Sequence, residues 1–373
     1  MIQILKPKIT LAEFLQTFPK VDIHYHLLGG VRLETMLALA NKYGVALTEQ
    51  EAKSYYRRYH QEAGTIKGGI SALNFLYPLL RCAEDYYQVT SEVAEDAATT
   101  GIRHLELFWN PSDALPPYAE VTAAMSDAIR DIGRQCNIYA LFIPSINREK
   151  TPEEAVKMVE EVLAHPHHQV PGIGIDYKEN NAPIEHFWKA YRLAQQGGLR
   201  LTGHCSEFGL HWRNVETGID LINLERIDHG YTVLDNPELT ARCVSQGIPF
   251  TVVPGNTYYL KKWSDKEQWR INHPIRRMAQ VGMNIIPATD DWHIHNTNGA
   301  ECYRVMIEEF GFDLDSIRQF MLNGIAACWQ PEHIKTAWYH QWVLEFDKLR
   351  SQLLEEPQIP SQRRIHYHRN MNV

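Results

Sequence analysis

Residues 200–230 read RLTGHCSEFGLHWRNVETGIDLINLERIDHG and contain two short apolar runs, each carrying a histidine near its end. The first run is Arg200–Ser206 and the second is Arg226–Gly230, so the two runs begin 26 residues apart. That distance holds one strand, one crossover helix and two short loops, which is the connection that neighbouring parallel strands require. The segment therefore predicts a β-α-β unit.

The same pattern recurs along the chain. Six further runs are rich in Val, Ile and aromatic residues: Val21–Leu27, Ile102–Trp109, Asn137–Ser145, Gly172–Lys178, Pro249–Gly255 and Asn284–Asp291. From the second run onward, successive runs begin 23 to 35 residues apart. Eight such units predict an α/β fold in which a single (β/α)8 barrel of the TIM type is surrounded by helices. A doubly wound open sheet is the alternative.

The interval between the first two runs is longer than the others. Val21 and Ile102 are 81 residues apart, so about residues 45–85 are predicted to form an inserted helical segment after the first strand. In a barrel this insertion lies at the C-terminal mouth, where long loops often cover the active site. An extra pair of packing helices is an equally acceptable interpretation. Residues 292–373 supply the last helices and a helical extension that ends in a tail over about 350–373. In this tail, the basic stretch around His366 and His368 is predicted to be exposed or to form an oligomer contact. No linker is evident, so residues 1–373 are predicted to form one domain.

Composition excludes several classes of protein. The net charge is −8, which argues against a protein that grips nucleic acid through its phosphates. No apolar run approaches the ~20 residues of a membrane span. Six cysteines without paired spacing suggest reduced thiols and a cytoplasmic location. Composition alone leaves the function open, and its unusual feature is the count of 18 histidines.

Ionisable residues are concentrated where the predicted strands end. Four of the eight strands contribute them: His24, His26, His204, Glu207, His229, Asp290 and Asp291. Because the C-terminal ends of barrel strands converge on one mouth, these side chains are expected to meet there. Each motif alone is weak, since a lone His-x-His or Asp-Asp is more often a core or loop feature. Their joint occurrence favours a shared metal site, and imidazoles with a carboxylate suit Zn²⁺.

These motifs resemble those of the adenosine deaminase-like branch of the amidohydrolase superfamily. The matching stretches are His24-Tyr25-His26, His204-Cys205-Ser206-Glu207, His229-Gly230 and Asp290-Asp291. The resemblance spans about residues 17–345 and implies one zinc ion per chain. It implies zinc ligands at four positions: His24, His26, His204 and Asp290.

The resemblance also implies the catalytic roles. Glu207 would protonate the ring nitrogen beside the attacked carbon, and His229 would orient and deprotonate the water. Asp291 would hold the nucleophile or the ring from the other side. Zinc lowers the pKa of its water toward ~7, which supplies a nucleophile near neutral pH. The implied reaction is hydrolytic deamination, in which the ring carbon accepts hydroxide and ammonia leaves.

The chain departs from the family where substrate is recognised. Leu28, followed by Gly29, replaces the residue that contacts the ribose 5′-hydroxyl in adenosine deaminases. Leu28 offers that hydroxyl no partner, a loss of ~1–3 kcal/mol. Glu179 stands where the family has a glycine, beside Lys178, and Trp292 replaces a proline. These five positions are the predicted substrate-binding residues.

The sequence thus predicts a zinc-dependent deaminase of a purine-like aminated base or nucleoside that does not prefer ordinary adenosine. Two alternatives remain open at this point. A binuclear amidohydrolase acting on an amide, lactone or phosphoester would use Lys178 as a bridging metal ligand. A catalytically silent zinc-binding relative would keep the fold without the reaction.

Overall fold

The computed structural model describes residues 8–61 and 67–367. Eight parallel strands follow one another around a single sheet in the order β1 to β8. Their bounds are β1 (Lys20–His26), β2 (Ile102–Trp109), β3 (Tyr139–Asn147), β4 (Gly172–Asp176), β5 (Arg200–Cys205), β6 (Arg226–His229), β7 (Pro249–Val252) and β8 (Asn284–Pro287). Nearly every strand residue is buried, as expected for parallel strands covered on both faces. The predicted (β/α)8 barrel is confirmed.

Helices surround this sheet and connect its strands. The α-helices are α1 (Leu11–Thr17), α2 (Leu33–Lys42), α3 (Glu49–Gln61), α4 (Lys67–Leu76), α5 (Ala83–Ala98), α6 (Tyr118–Cys136), α7 (Pro152–Ala164), α8 (Trp188–Gln196), α9 (Arg213–Asp220), α10 (Pro237–Gln246), α11 (Thr257–Lys261), α12 (Lys266–Asn272), α13 (Pro274–Gln280), α14 (Trp292–His295), α15 (Gly299–Arg304), α16 (Leu314–Ala327) and α17 (Glu332–Arg350). Short 3-10 helices lie at Leu27–Gly30, Tyr77–Leu79, Glu179–Asn181, Ile184–Phe187 and Tyr231–Asp235, and a π-helix at Val305–Glu309.

Backbone hydrogen bonds between the first strand and the segment after the last strand close the barrel. The Asp290 N–H donates to the His24 carbonyl oxygen at 3.0 Å, and the His26 N–H donates to the Asp290 carbonyl oxygen at 3.0 Å. This pair of bonds is the barrel seam. It brings the first and last parts of the sheet into register at the mouth, where both contribute histidine or carboxylate side chains.

Part of the insertion after β1 lies at the C-terminal mouth of the barrel. Helix α4 contributes Ile70 and Leu73 to the wall of the mouth. Helix α3 is tied to the barrel by the Tyr56 hydroxyl, which donates to the Val31 carbonyl oxygen at 2.6 Å. Residues 62–66 of the predicted insertion lie outside the described residues.

The end of the chain packs on the barrel up to residue 367, while the Arg364 side chain stays exposed. Ile365 and Tyr367 are buried, and the Tyr367 hydroxyl donates to the Met283 carbonyl oxygen at 2.8 Å. Apolar residues in alternate positions hold this segment, while His366 between them remains exposed. Residues 368–373 lie outside the described residues. In the described ranges, no helix has the length and apolar character needed to cross a membrane.

A buried ion pair lies inside the barrel near the N-terminal ends of the strands. Arg226 Nη1 of β6 lies 2.7 Å from Glu106 Oε2 of β2, and both side chains are almost fully buried. The Trp329 N–H also donates to Glu106 Oε1 at 2.6 Å. Burial alone would raise the pKa of Glu106, but the Arg226 charge and hydrogen bonds outweigh it and lower that pKa to about 2.

Candidate active site

Strained backbone conformations mark the points where strands enter the mouth. Tyr177 after β4, Ser206 after β5, His229 at the end of β6 and Asp290 after β8 all have φ between 58° and 69°. L-residues rarely adopt this left-handed region, and such outliers cluster at functional sites. At these four positions the predicted strands extend one to four residues beyond the observed strand ends, because an apolar run does not reveal where the backbone leaves the extended conformation.

Three histidines and one aspartate converge at the mouth. The Nε2 atom of His204 lies 3.1 Å from Nε2 of His24 and 3.1 Å from Nε2 of His26. Asp290 Oδ1 lies 3.5 Å from His24 Nε2 and 3.2 Å from His26 Nε2. Ligand atoms bound tetrahedrally to zinc at ~2.0–2.1 Å are about 3.3 Å apart. The four predicted ligands therefore have the spacing of a zinc coordination shell.

The protonation of His24 can be read from its hydrogen bonds. The Thr251 hydroxyl donates to Asp228 Oδ1 at 2.8 Å and also lies 2.8 Å from His24 Nδ1. A hydroxyl has one hydrogen, so Nδ1 of His24 donates to it and Nε2 carries the lone pair. That lone pair faces the other ligand atoms. Such chains from imidazole to carboxylate are typical of metal-binding histidines.

The charge around the ligands also favours a cation. Burial would lower the pKa of His26, but Asp291, Asp290 and Asp176 overcome it and raise that pKa to about 10. A positive charge is thus stabilised where these carboxylates meet. His229 adds a further donor, because ligand atoms of His24, His204, His229 and Asp290 all lie within 4.8 Å of one another. The residues present fit a divalent metal.

Glu207 lies beside the predicted ligands and is not one of them. Its Oε1 accepts a hydrogen bond from Asn256 Nδ2 at 3.2 Å, and its Oε2 lies 3.6 Å from His229 Nε2. Burial, followed by the charges of Asp290 and Glu179, raises the pKa of Glu207 well above the usual range for a carboxyl group. A carboxyl group in this environment can be protonated near neutral pH and so act as an acid.

His229 and Asp291 complete the group of predicted catalytic residues. Burial and the neighbouring His24 lower the pKa of His229, which keeps its imidazole neutral and able to accept a proton. Burial raises the pKa of Asp291 to about 6. Asp291 Oδ1 has no hydrogen-bond partner among the described residues, so it is free to meet a ligand.

A cleft lies at the mouth of the barrel, beside these residues. We call it the mouth cleft, and its described lining is His26, Ile70, Leu73, Asp176, Tyr177, His204, Glu207, Phe208, Asp290, Asp291, Ile294 and His295. Ile70 and Leu73 of helix α4, with Phe208 and Ile294, form the apolar part of this lining, and histidines and carboxylates form most of the polar part. No lysine or arginine is present among these described lining residues.

None of the five predicted substrate-binding residues belongs to this described lining. Leu28 is buried, and Gly29 packs directly against Asp291. Glu179 is buried and directs its carboxylate toward the turn that carries Glu207. Lys178 lies near Glu149: burial raises the pKa of Glu149, and the Lys178 charge opposes this rise. The Trp292 ring lies 6.1 Å from the Tyr25 ring. Direct contact of these residues with substrate stays a prediction.

Several residues of the site were not predicted. Asp176 Oδ2 lies 3.5 Å from His26 Nδ1, and Asp228 Oδ2 lies 3.6 Å from His204 Nδ1. Asn256 also reaches Glu207. His295 is different, because its place just past Asp291 in the sequence predicts a position at the mouth, and its Nε2 lies there, 3.1 Å from Asp290 Oδ2. For the two aspartates a signal existed, because a carboxylate within an otherwise apolar barrel strand is expensive unless it has a partner.

Comparison with known proteins agrees with this geometry. Residues 19–341 match the family model described as adenosine deaminase. An adenosine deaminase of Clostridium kluyveri is 25% identical, over 90% of this chain and 96% of the relative. An adenine deaminase of Ralstonia pickettii is 26% identical, over 88% of this chain and 95% of the relative.

A solved amidohydrolase structure from Burkholderia ambifaria, with bound Zn, is 42% identical with a TM-score of 0.86, covering 94% of this chain and 96% of that one. An adenine deaminase structure from Arthrobacter aurescens shares the fold at 22% identity and a TM-score of 0.80, covering 89% of this chain and 100% of that one. The chain belongs to the adenosine deaminase family and is a metal-dependent deaminase.

Proposed function

We propose that this protein is a zinc-dependent hydrolytic deaminase of a purine-like aminated base or nucleoside. The observation that carries the proposal is the position of Glu207, a buried carboxyl group 3.6 Å from His229 and beside the converging ligand atoms. The Burkholderia structure at 42% identity contains Zn, which supports zinc as the metal.

His24, His26, His204 and Asp290 would hold the zinc ion, one per chain. When bound, zinc supplies a Lewis acid that makes water nucleophilic near neutral pH. His229 would accept the proton from the attacking water, since its imidazole is neutral and its Nε2 lies 3.9 Å from Asp290 Oδ2. Asp291, with its unpartnered Oδ1 in the mouth cleft, would orient the ring.

Glu207 would donate its proton to the ring nitrogen adjacent to the carbon under attack. This proton transfer removes the aromatic stabilisation of the ring and makes the carbon electrophilic. After the tetrahedral centre forms, ammonia leaves with a proton taken from the water. General acid–base catalysis of this kind contributes ~10²–10⁴-fold to the rate.

The mouth cleft favours an uncharged substrate. Its described lining carries several carboxylates and neither lysine nor arginine, so a phosphate group would meet carboxylate repulsion without a guanidinium or ammonium partner. The absence of a polar side chain at Leu28 argues further against ordinary adenosine as the preferred substrate. Adenine, or a nucleoside with an apolar 5′ substituent, suits the site better.

Ammonia release from the zinc-loaded enzyme tests the proposal. The panel should contain adenine, adenosine, 5′-deoxyadenosine, 5′-methylthioadenosine, adenosine 5′-monophosphate and an aminopterin-type ring. We expect adenine or a 5′-apolar nucleoside to have the highest kcat/KM. Highest efficiency with adenosine would overturn the inference from Leu28, and ammonia release from no member would overturn the proposed substrate class.

Metal analysis separates this proposal from the binuclear alternative. One metal per chain is expected, because Asp290 Oδ1 and the Nε2 atoms of His24, His26 and His204 are close enough together to bind a single ion. Two metals per chain would instead favour a bridged pair.

A further inference from the structure

A second buried carboxylate, that of Glu179, accepts hydrogen bonds from the backbone of the turn that carries Glu207. Glu179, in the 3-10 helix after β4, is 3% exposed. Its Oε1 accepts a hydrogen bond from the Ser206 N–H at 2.8 Å, and its Oε2 accepts one from the Glu207 N–H at 3.3 Å. One carboxylate therefore binds two successive backbone amides of the turn.

This turn needs an external support. Ser206 has φ of 58°, a left-handed conformation that costs a non-glycine residue free energy. Ser206 and Glu207 follow β5, which ends at Cys205, and their N–H groups donate to a side chain and not to a neighbouring strand. The Glu179 carboxylate is the acceptor, and charge-assisted hydrogen bonds of this kind are stronger than neutral ones.

Glu179 is itself fixed by two partners. Asn214 Nδ2 of α9 donates to Glu179 Oε1 at 2.8 Å. Arg148, buried after β3, places Nη1 3.9 Å from Glu179 Oε1 and donates from Nη2 to the His204 carbonyl oxygen at 2.8 Å. The arginine thus bridges Glu179 to the residue that begins the turn, and the buried charges compensate each other.

We propose that Glu179 is a positioning residue for the reaction, which holds the turn from His204 to Glu207 so that the acid faces the substrate ring. The inference rests on the proposed role of Glu207. It also departs from the prediction that Glu179 binds substrate, because its carboxylate is directed to the turn and is absent from the described lining of the mouth cleft.

The two roles predict different kinetics. A positioning residue acts on the chemical step, so Glu179→Gln should lower kcat with KM almost unchanged. The glutamine retains one acceptor oxygen and cannot satisfy both amides. A misplacement of the acid by about 1 Å can lower the rate about a hundredfold. A substrate-binding residue would raise KM instead.

The experiment compares three variants with the zinc-loaded wild-type enzyme, using the panel substrate that is turned over fastest. Glu179→Gln is the main variant, and Glu179→Asp keeps the charge beside Arg148 if the glutamine variant folds poorly. Asp85→Asn is the matched control, because Asp85 is also buried and accepts from two successive amides, Arg81 N–H at 2.8 Å and Cys82 N–H at 3.2 Å, outside the mouth cleft. Zinc content and thermal unfolding are measured for each.

Amide hydrogen exchange provides a readout that is independent of substrate. Exchange at Ser206 and Glu207 should accelerate in both Glu179 variants and stay unchanged in Asp85→Asn. We expect kcat to fall about a hundredfold in Glu179→Gln, less in Glu179→Asp, and not in the control. Unchanged kcat, or a raised KM with kcat retained, would overturn the inference.

A double variant separates this inference from the proposed function. If Glu179 acts through Glu207, the variant Glu179→Gln/Glu207→Gln should be no slower than Glu207→Gln alone. Additive losses would overturn the positioning role while leaving Glu207 as the acid. Full activity of Glu207→Gln would instead overturn the proposed mechanism, whatever the Glu179 variants do.

Discussion

Gly29 lies against Asp291 so closely that a side chain at Gly29 would overlap it. A Cβ atom built on Gly29 would come within 2.1 Å of Asp291 Oδ1 and 2.7 Å of Asp291 Cα. Rotation of the aspartate side chain relieves the first contact but not the second, since the second involves backbone. The absence of a side chain at Gly29 therefore determines where Asp291 lies in the mouth cleft.

Gly29→Ala should consequently displace Asp291 and lower kcat/KM by about a hundredfold, the effect of a shift near 1 Å. Steady-state ammonia release measures it. Gly255→Ala is the control, because a Cβ there would meet its nearest atom, in Thr297, at an ordinary 3.4 Å. Equal activity of the two variants would show that Asp291 does not need its observed position.

Glu207→Gln should retain zinc and lose turnover by about 10²–10⁴-fold. The amide has nearly the shape of the carboxyl group but has no acidic proton to donate to the ring nitrogen. Metal content and kcat are measured on the same preparation. A zinc-loaded variant with wild-type kcat would remove Glu207 from the mechanism.

Asp228→Asn should weaken zinc binding by about 10–100-fold, as loss of a carboxylate behind a ligating histidine usually does. Asp228 orients His24 through Thr251 and lies 3.6 Å from Nδ1 of His204. Competition with a chelator of known affinity measures the change. Asp22→Asn is the matched control, since Asp22 is also buried in the barrel but accepts from the Thr289 hydroxyl at 2.5 Å rather than from an imidazole. Unchanged affinity in Asp228→Asn would contradict this role.

Glu106→Gln should lower the free energy of unfolding at pH 7 by about 3–5 kcal/mol, because it leaves the buried Arg226 without its counter-charge. Urea unfolding of metal-free protein measures this loss. Glu345→Gln, which affects a partly exposed pair with Arg103, should cost less than about 1 kcal/mol.

The same ion pair makes a prediction about pH. The pKa of Glu106 is about 2 in the folded protein against an ordinary value of 4.5, so its folded-state pKa is lowered. The unfolded chain binds the proton first as pH falls, and the stabilisation is fully present above about pH 4.5 and lost between there and pH 2. The difference in stability between wild type and Glu106→Gln should therefore shrink across this range. A constant difference would contradict the lowered pKa.

Much of the fold follows from the sequence because barrel strands are short, apolar and evenly spaced. Six of the eight predicted strand starts coincide with the structure, and β1 and β3 begin within two residues of the prediction. The predicted ligands could be found for the same reason, since His26 ends β1, His204 lies one residue before the end of β5 and Asp290 follows β8.

The supporting residues were harder to predict because their roles depend on contacts between distant elements. Nothing local shows that the Glu179 carboxylate turns toward Ser206, 27 residues away, and not toward the cleft. Asn256 is similar, because its amide meets Glu207 only when β7 and β5 are placed in the barrel. The packing of the chain end also depends on a distant contact, the hydrogen bond from the Tyr367 hydroxyl to the Met283 carbonyl oxygen.

The barrel seam links catalytic competence to the synthesis of the chain. His24 emerges from the ribosome early, whereas Asp290, which bonds to its carbonyl oxygen, is made 266 residues later. Until Asp290 has left the exit tunnel, the histidines of the mouth lack its carboxylate, and the first strand lacks its backbone hydrogen bonds on one side. Because Asp290 is a proposed metal ligand, we expect a nascent or truncated polypeptide that lacks it to release no ammonia. Enzymatic activity should then appear only after the eighth strand has been synthesised.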